Sequence, residues 1–294
     1  MHKKAFLKYL QFEKRYSSHT ICSYETDLEQ FGIFCNSVIK DFDITKADHR
    51  IIRSWIVHLT ENNISARTIR RKLTTLRSFY RYLNREGLLS NNPAEKIIPP
   101  KLSKRLPVFV DEDSINTLID NYEFGDDFSG VRNRLIMEMF YTTGVRLSEL
   151  INLKNIDIDH YNMTIKVLGK RNKERIVPYN ASLNKTIKEY VEKKKEISQE
   201  DGMDFFFITD KGNKIYNKFV YRIVNKYLQL VTTIEKKSPH VLRHTFATHM
   251  LNSGADINAI KELLGHANLS ATQVYTHNTF EKLKNIYKQA HPRA

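Results

Sequence analysis

From position 146 onward this 294-residue chain carries a set of side chains suited to one reaction: Arg146, Lys170, His240, Arg243, His266 and Tyr275. Two arginines, a lysine and two histidines can grip and neutralise a phosphodiester, because guanidinium forks and cationic N–H groups match phosphate oxygens. A tyrosine hydroxyl just downstream can attack the phosphorus and hold it covalently. The sequence shows no cluster of carboxylates of the kind a two-metal nuclease needs. The combination points to metal-free cutting of DNA through a phosphotyrosine, with no cofactor.

The local settings sharpen some of these assignments. Arg146 follows Thr143-Gly144 and opens a helix containing Leu147, Leu150 and Ile151, with Glu149 three residues on. That pair reads either as a surface ion pair of little weight or as a carboxylate brace aiming the guanidinium. The string SPHVLRHTFATHM is more specific. Ser238 suits an N-cap and Pro239 a first helical position, so His240 and Arg243 share one face near a helix N-terminus that favours an anion. His240 and His244 are four apart and raise zinc, but Val241 stands where a metalloprotease helix needs Glu, and no nearby Cys or Asp completes a tetrahedral set. His244 and His249 therefore read as structural. Gly265 is the expected left-handed stop after the apolar run Ile257, Ile260, Leu263, Leu264, which directs His266 off the helix. Tyr275 is one of fifteen tyrosines, and its interval from His266 gives the pair more weight than either residue alone.

The elements that must position these residues are mostly helical. Hydrophobic content of 41% with ten Gly and seven Pro reads as globular, and the length allows two domains. The excess of 47 basic over 33 acidic residues, +14, favours a polyanion, either nucleic acid or an anionic membrane surface. No apolar run reaches membrane-spanning length and no signal-peptide core follows the amino terminus, so a cytoplasmic protein is expected. Cys22 and Cys35 share one expected helix about 20 Å apart, too far to bridge, and read as reduced buried thiols.

Residues 1–98 read as helices. Ile21, Tyr24, Leu28, Phe31 and Cys35 recur at spacings of three and four, and Ile69, Leu73, Leu76, Tyr80 and Leu83 do the same over 65–85. Arg67, Arg70, Arg77 and Arg81 lie outside that second stripe. Residues 67–105 hold eleven basic and two acidic residues, a bias that suits DNA backbone contact more than a merely solvated face. Residues 99–108 form a Pro-rich basic linker with Lys101, Lys104 and Arg105, and residues 109–294 a second domain. In it, residues 163–168 and 175–177 alternate around Gly169-Lys170-Arg171-Asn172-Lys173 and predict a β-hairpin with Lys170 in its turn.

Taken together, the strings GKRNKERIVP, SPHVLRHTFATHML and LLGHANLSATQVYTH resemble the tyrosine site-specific recombinases over essentially the whole chain, most closely the bacterial Xer-type members. The resemblance implies an amino-terminal SAM-like core-binding domain and a mainly helical catalytic domain with a small antiparallel sheet, together a C-shaped clamp on DNA. It implies that Tyr275 attacks the scissile phosphate, Arg146 and Arg243 bind the non-bridging oxygens, and Lys170 protonates the leaving 5′-oxygen. His240 would serve as base or hydrogen-bond partner, His266 as a further donor, and Glu149 as support. The partners implied are a duplex recombination site, a tetramer of this chain alone or with a related recombinase, and a septal DNA translocase, with no membrane. The job implied is resolution of chromosome dimers near the nucleoid. An integrase or invertase of a mobile element would share this chemistry. Residues 280–290, with Phe280, Leu283, Ile286, Tyr287 and Ala290, would dock on a neighbouring subunit or pack within the chain.

Overall fold

The apolar spacing of the first hundred residues produces four helices, each started by a side chain that caps it or by the chain end. The computed structural model describes residues 2–102, 108–169, 173–197, 204–265 and 277–293, with side chains in the last stretch from Leu283 onward. Helices α1 (His2–Phe12), α2 (Ser18–Val38), α3 (His49–Glu61) and α4 (Ala66–Arg85) belong to one unit, Met1–Arg105; residues Leu106–Ala294 form the other. Ser17, Asp48 and Ser65 accept backbone N–H bonds at the starts of α2, α3 and α4, satisfying donors that a helix N-terminus leaves open. Leu28, Phe31 and Cys35 of α2 meet Leu73, Leu76, Tyr80 and Leu83 of α4 in a core closed by Phe6 and Trp55. Each such side chain contributes about 1.5–3 kcal/mol by leaving water. Cys35 is buried as expected, but Cys22 is exposed, because it stands beside the stripe that Ile21 and Leu28 define.

This core also holds charge. Asp27 is fully buried and accepts from Lys72 Nζ at 2.9 Å, from Thr75 Oγ1 at 2.9 Å and from Arg71. Lys72 donates again to Gln30, and Arg71 to Ser23 Oγ at 2.6 Å. Two of the cations between positions 67 and 105 thus weld α4 to α2. A third, Arg77, donates Nε to Ala94 O at 3.1 Å and Nη2 to Ile97 O at 2.6 Å, tying α4 to the chain that follows it. Arg67, Arg70, Arg81 and Lys101 are exposed, and their side chains have no hydrogen-bond or ion-pair partner among the described residues. Lys104 and Arg105 lie outside the described residues.

The second unit is built on α6 (Phe128–Thr143), which follows α5 (Glu112–Asn116) and is buried on nearly every side, as a central helix must be. It ends at Gly144, whose φ of +59° turns the chain into α7 (Leu147–Asn152); a Cβ there would come within 2.6 Å of Phe246. A three-stranded antiparallel sheet follows: β1 (Ile158–Asp159), β2 (Thr164–Leu168) and β3 (Glu174–Pro178), in that order, with Ile165 opposite Val177 and Val167 opposite Arg175. The expected hairpin is β2–β3; the two-residue β1 is too short to leave an alternation in the sequence. Helices α8 (Ala181–Ile197), α9 (Asn217–Val231), α10 (Pro239–Asn252), α11 (Ile257–Leu264) and α12 (His277–Ala290) complete the unit. Leu283, Tyr287 and Ala290 of α12 pack within the chain against Phe246, Met250 and Leu263; the Phe280 side chain lies outside the description. Beyond α12, Arg293 forks onto Asp120 with two bonds of 2.6 Å, and the His291 ring donates Nε2–H to Tyr141 O at 3.2 Å. Among the described residues no helix is long and apolar enough to cross a membrane.

Candidate active site

Three arginines converge on the C-terminal end of α11, each on a different carbonyl of one short run. Arg175 Nε donates to Leu263 O at 2.8 Å, Arg243 Nη2 donates to Leu264 O, and Arg146 Nη2 donates to Gly265 O at 2.9 Å. These are groups that a helix C-terminus leaves without intrahelical partners and that carry its partial negative charge. Gly265 makes the arrangement possible. It is the left-handed cap, with φ of +62°, and a Cβ on it would stand 3.1–3.4 Å from the Arg175 side chain. The stop expected after Leu264 is therefore present.

Glu149 binds the arginines to one another. Its carboxylate accepts both Arg175 Nη1 and Nη2, at 2.7 and 2.9 Å, and Arg146 Nη1 at 2.7 Å. It also accepts the Arg146 backbone N–H at 2.7 Å, which caps α7. Burial by itself pushes this carboxyl up. The hydrogen bonds and charge of Arg175, with the N–H and guanidinium of Arg146, outweigh that and hold it down at about 2. Of the two readings open for Arg146 and Glu149, the buried brace is the one observed: the Glu149 side chain is 1% exposed and Arg146 is 25% exposed.

Arg243 is buried and donates Nη1 to Gly144 O, so it ties the end of α6 to the end of α11. Burial first, then the charges of Arg146 and Arg175, push its guanidinium down to about 9, still a cation at neutral pH. Three cations against one carboxylate leave a net positive site. His240 lies in the first turn of α10 with its ring exposed. Burial of part of the ring and the charges of Arg243, Lys236 and His244 lower its pKa, which keeps the imidazole neutral and able to accept a proton. Ser238 occupies the cap position before Pro239, as expected, but its hydroxyl is buried and makes no capping bond. His249 is structural, with Nδ1 3.0 Å from the Tyr141 hydroxyl.

The structure thus brings together Arg146, Glu149 and Arg243, with His240 one turn from Arg243. Lys170, His266 and Tyr275 lie outside the described residues. The glycines preceding two of them reach the cluster. A methyl on Gly169 would stand 3.8 Å from Arg146 Nη1 and 3.7 Å from Glu149 Oε1, and Gly265 carries the carbonyl that holds Arg146. Sequence reasoning missed Arg175. Its signal was the strand alternation: counting back from buried Val177, position 175 faces inward and Ile176 outward.

With this geometry in view, the comparisons are specific. Residues 108–282 match the phage integrase family, and residues 4–87 match the SAM-like N-terminal domain of phage integrases. The chain belongs to the phage integrase family, the tyrosine recombinases, and so is an enzyme that breaks and rejoins DNA at specific sites. It is 38% identical to the tyrosine recombinase XerC of Staphylococcus saprophyticus over 291 residues, 99% of this chain and 97% of that protein. It is 39% identical to the tyrosine recombinase XerC of Staphylococcus aureus over 290 residues, covering 99% and 96%. The fold is that of the XerH recombinase in its post-cleavage complex with a palindromic difH substrate (TM-score 0.72, 23% identity, 96% and 83% covered). The Tn1549 transposon integrase in complex with transposon right end DNA shares it too (TM-score 0.72, 17% identity, 96% and 97% covered).

Proposed function

We propose that this chain recombines duplex DNA through a 3′-phosphotyrosyl intermediate on Tyr275 and a Holliday junction, and that it resolves chromosome dimers at segregation. The Tyr275 oxygen attacks phosphorus as its proton passes to His240, and the bond to the 5′-oxygen breaks as Lys170 supplies that oxygen with a proton. A 5′-hydroxyl from the partner strand then reverses these steps, so the phosphodiester's energy is kept in the protein link. Arg146 and Arg243 hold the non-bridging oxygens, with His266 as a further donor. The observation that carries this reading is the cluster itself: two guanidiniums anchored on the carbonyls of Leu264 and Gly265, directly before His266 in the chain, one of them also held by a buried carboxylate. Donors fixed in this way need no reorganisation as charge develops on the phosphate.

The amino-terminal unit binds the site's backbone through Arg67, Arg70 and Arg81, with Lys101, Lys104 and Arg105 adding contacts from the linker. Arg77, committed to carbonyls of its own chain, shapes that surface rather than touching DNA. Four protomers, of this chain alone or with a related recombinase, carry out strand exchange beside the nucleoid, under a septal DNA translocase. The kinship with two XerC proteins favours this role over mobile-element integration.

Covalent capture in EDTA tests the proposal. Full-length protein mixed with nicked duplexes from its host's sheared chromosomal DNA forms an SDS-resistant adduct, which tryptic mass spectrometry places on Tyr275. Tyr275→Phe binds the same DNA and forms none. An adduct on another residue, or one that persists in the variant, refutes the nucleophile.

A further inference from the structure

Arg175 differs from its two neighbours in where its donors go. Both Nη groups are spent on Glu149 and Nε on Leu263 O, and the side chain is 4% exposed. Its charge is thus matched to a carboxylate, whereas Arg243, as deeply buried, donates only to neutral carbonyls and Arg146 keeps a quarter of its side chain exposed and donors to spare. Arg175 nevertheless joins every part that fixes Arg146. Through the bidentate fork it sets both oxygens of Glu149, and one of those, Oε1, is shared with Arg146 Nη1. Through Nε it holds the carbonyl two residues before the one that receives Arg146 Nη2. Its own backbone sits in β3, opposite Val167, so it ties the sheet to the same point.

We infer that Arg175 is a positioning residue for DNA cleavage: it acts through Glu149 and the end of α11 to aim Arg146, and it does not touch the substrate. The inference rests on the reading that Arg146 binds the scissile phosphate. Remove the fork and the Glu149 carboxylate is left with Arg146 as its remaining cationic partner. The two then pair more closely, and Arg146 is drawn inward from the position in which it meets a phosphate. Lysine at 175 keeps the charge but cannot make two parallel bonds and reach Leu263 O as well.

A double-mutant cycle on the full-length protein tests this, with single-turnover adduct formation at saturating nicked duplex as the rate and DNA affinity measured separately. The duplex is one recovered by covalent capture from host chromosomal DNA. Arg175→Lys is expected to slow adduct formation on the order of 10²-fold, the effect of displacing a reacting group by about 1 Å, with affinity unchanged. In an Arg146→Ala background the same substitution is expected to change the rate little, because the residue through which it acts is gone. An equal fall in both backgrounds, or wild-type cleavage by Arg175→Lys, overturns the inference. Wild-type cleavage by Arg146→Ala overturns the underlying reading of Arg146 instead. If Arg175→Lys folds poorly, the pair Glu149→Gln with Arg175→Met removes both buried ions together, which buried pairs tolerate better than loss of one partner. That pair is expected to fold and to cleave slowly; cleavage at the wild-type rate overturns the role of the brace.

Discussion

Each unit of this protein holds a carboxylate buried between two cations, Asp27 in one and Glu149 in the other, and the two clusters are put to different use. Asp27 is wholly enclosed, and its partners Arg71, Lys72 and Thr75 all come from one helix, α4. The result is a weld between α2 and α4. Glu149 is as deeply buried, but its partners come from a helix cap and a strand. The result is a bracket that, through the other donors of Arg146 and Arg175, also grips the end of α11. Both clusters keep a partly open arginine, Arg71 at 47% and Arg146 at 25%; what separates them is that one joins two helices and the other gathers a cap, a strand and a helix end around a single point.

The largest effects separate the two clusters directly. Asp27→Ala strands Lys72 in the core and should cost about 3–5 kcal/mol of stability, as breaking a buried pair does. Denaturant unfolding checks the loss, and adduct formation by the protein that remains folded and DNA-bound should keep its rate. Slowed chemistry in that variant would erase the distinction between weld and bracket.

A smaller effect comes from pH and lies within the carboxy-terminal unit. Burial holds the His291 ring down at about 4, against an ordinary 6.5. The unfolded chain therefore takes up this proton first. The stability that the neutral ring contributes is complete above pH 6.5 and is lost as pH falls toward 4, about 3 kcal/mol in full. Glu149, held at about 2 against 4.5, contributes stability that is complete above pH 4.5 and lost as pH falls through 2. The clasp of the tail should thus loosen before the bracket does. Thermal midpoints measured from pH 7 to pH 4 should fall, and His291→Gln should flatten the slope; an unchanged slope would remove His291 from the account.

The smallest effects divide the arginines of α4. Arg77→Ala strips donors from Ala94 O and Ile97 O and should cost about 1–3 kcal/mol of stability. Arg70→Ala should change stability by less than about 0.5 kcal/mol and lower the salt dependence of DNA binding by about one phosphate contact. Unfolding curves and affinity titrations at several salt concentrations read both.

Much of this was legible in the sequence. Arg243 stands in a string distinctive enough to be singled out, the pair Arg146 and Glu149 was open between a surface ion pair and a brace, and the α2 and α4 stripes fall where the periodicity puts them. What was hidden is charge inside those stripes. Asp27 shares a helix face with Phe31 and Cys35, and Lys72 shares one with Ile69 and Leu76, yet a sum of basic residues over 67–105 treats all eleven alike. Composition registers a charge; only its place in the period says whether it faces the core. The same holds for Arg175, inward on β3 while Ile176 points out. Arg77 was grouped with the DNA-contacting arginines because its carbonyl partners, Ala94 O and Ile97 O, lie in an irregular segment with no period to read.

The most direct test of the bracket is single-turnover adduct formation in EDTA by the wild type, Arg146→Ala and Arg243→Ala, with DNA affinity measured at the same salt. If these guanidiniums act on charge that develops at the phosphate, each variant should lose on the order of 10²–10³ in rate, the effect of removing one preorganised donor, while affinity moves less than about tenfold. An unchanged rate, or a loss of affinity that accounts for the whole loss of activity, would contradict the account.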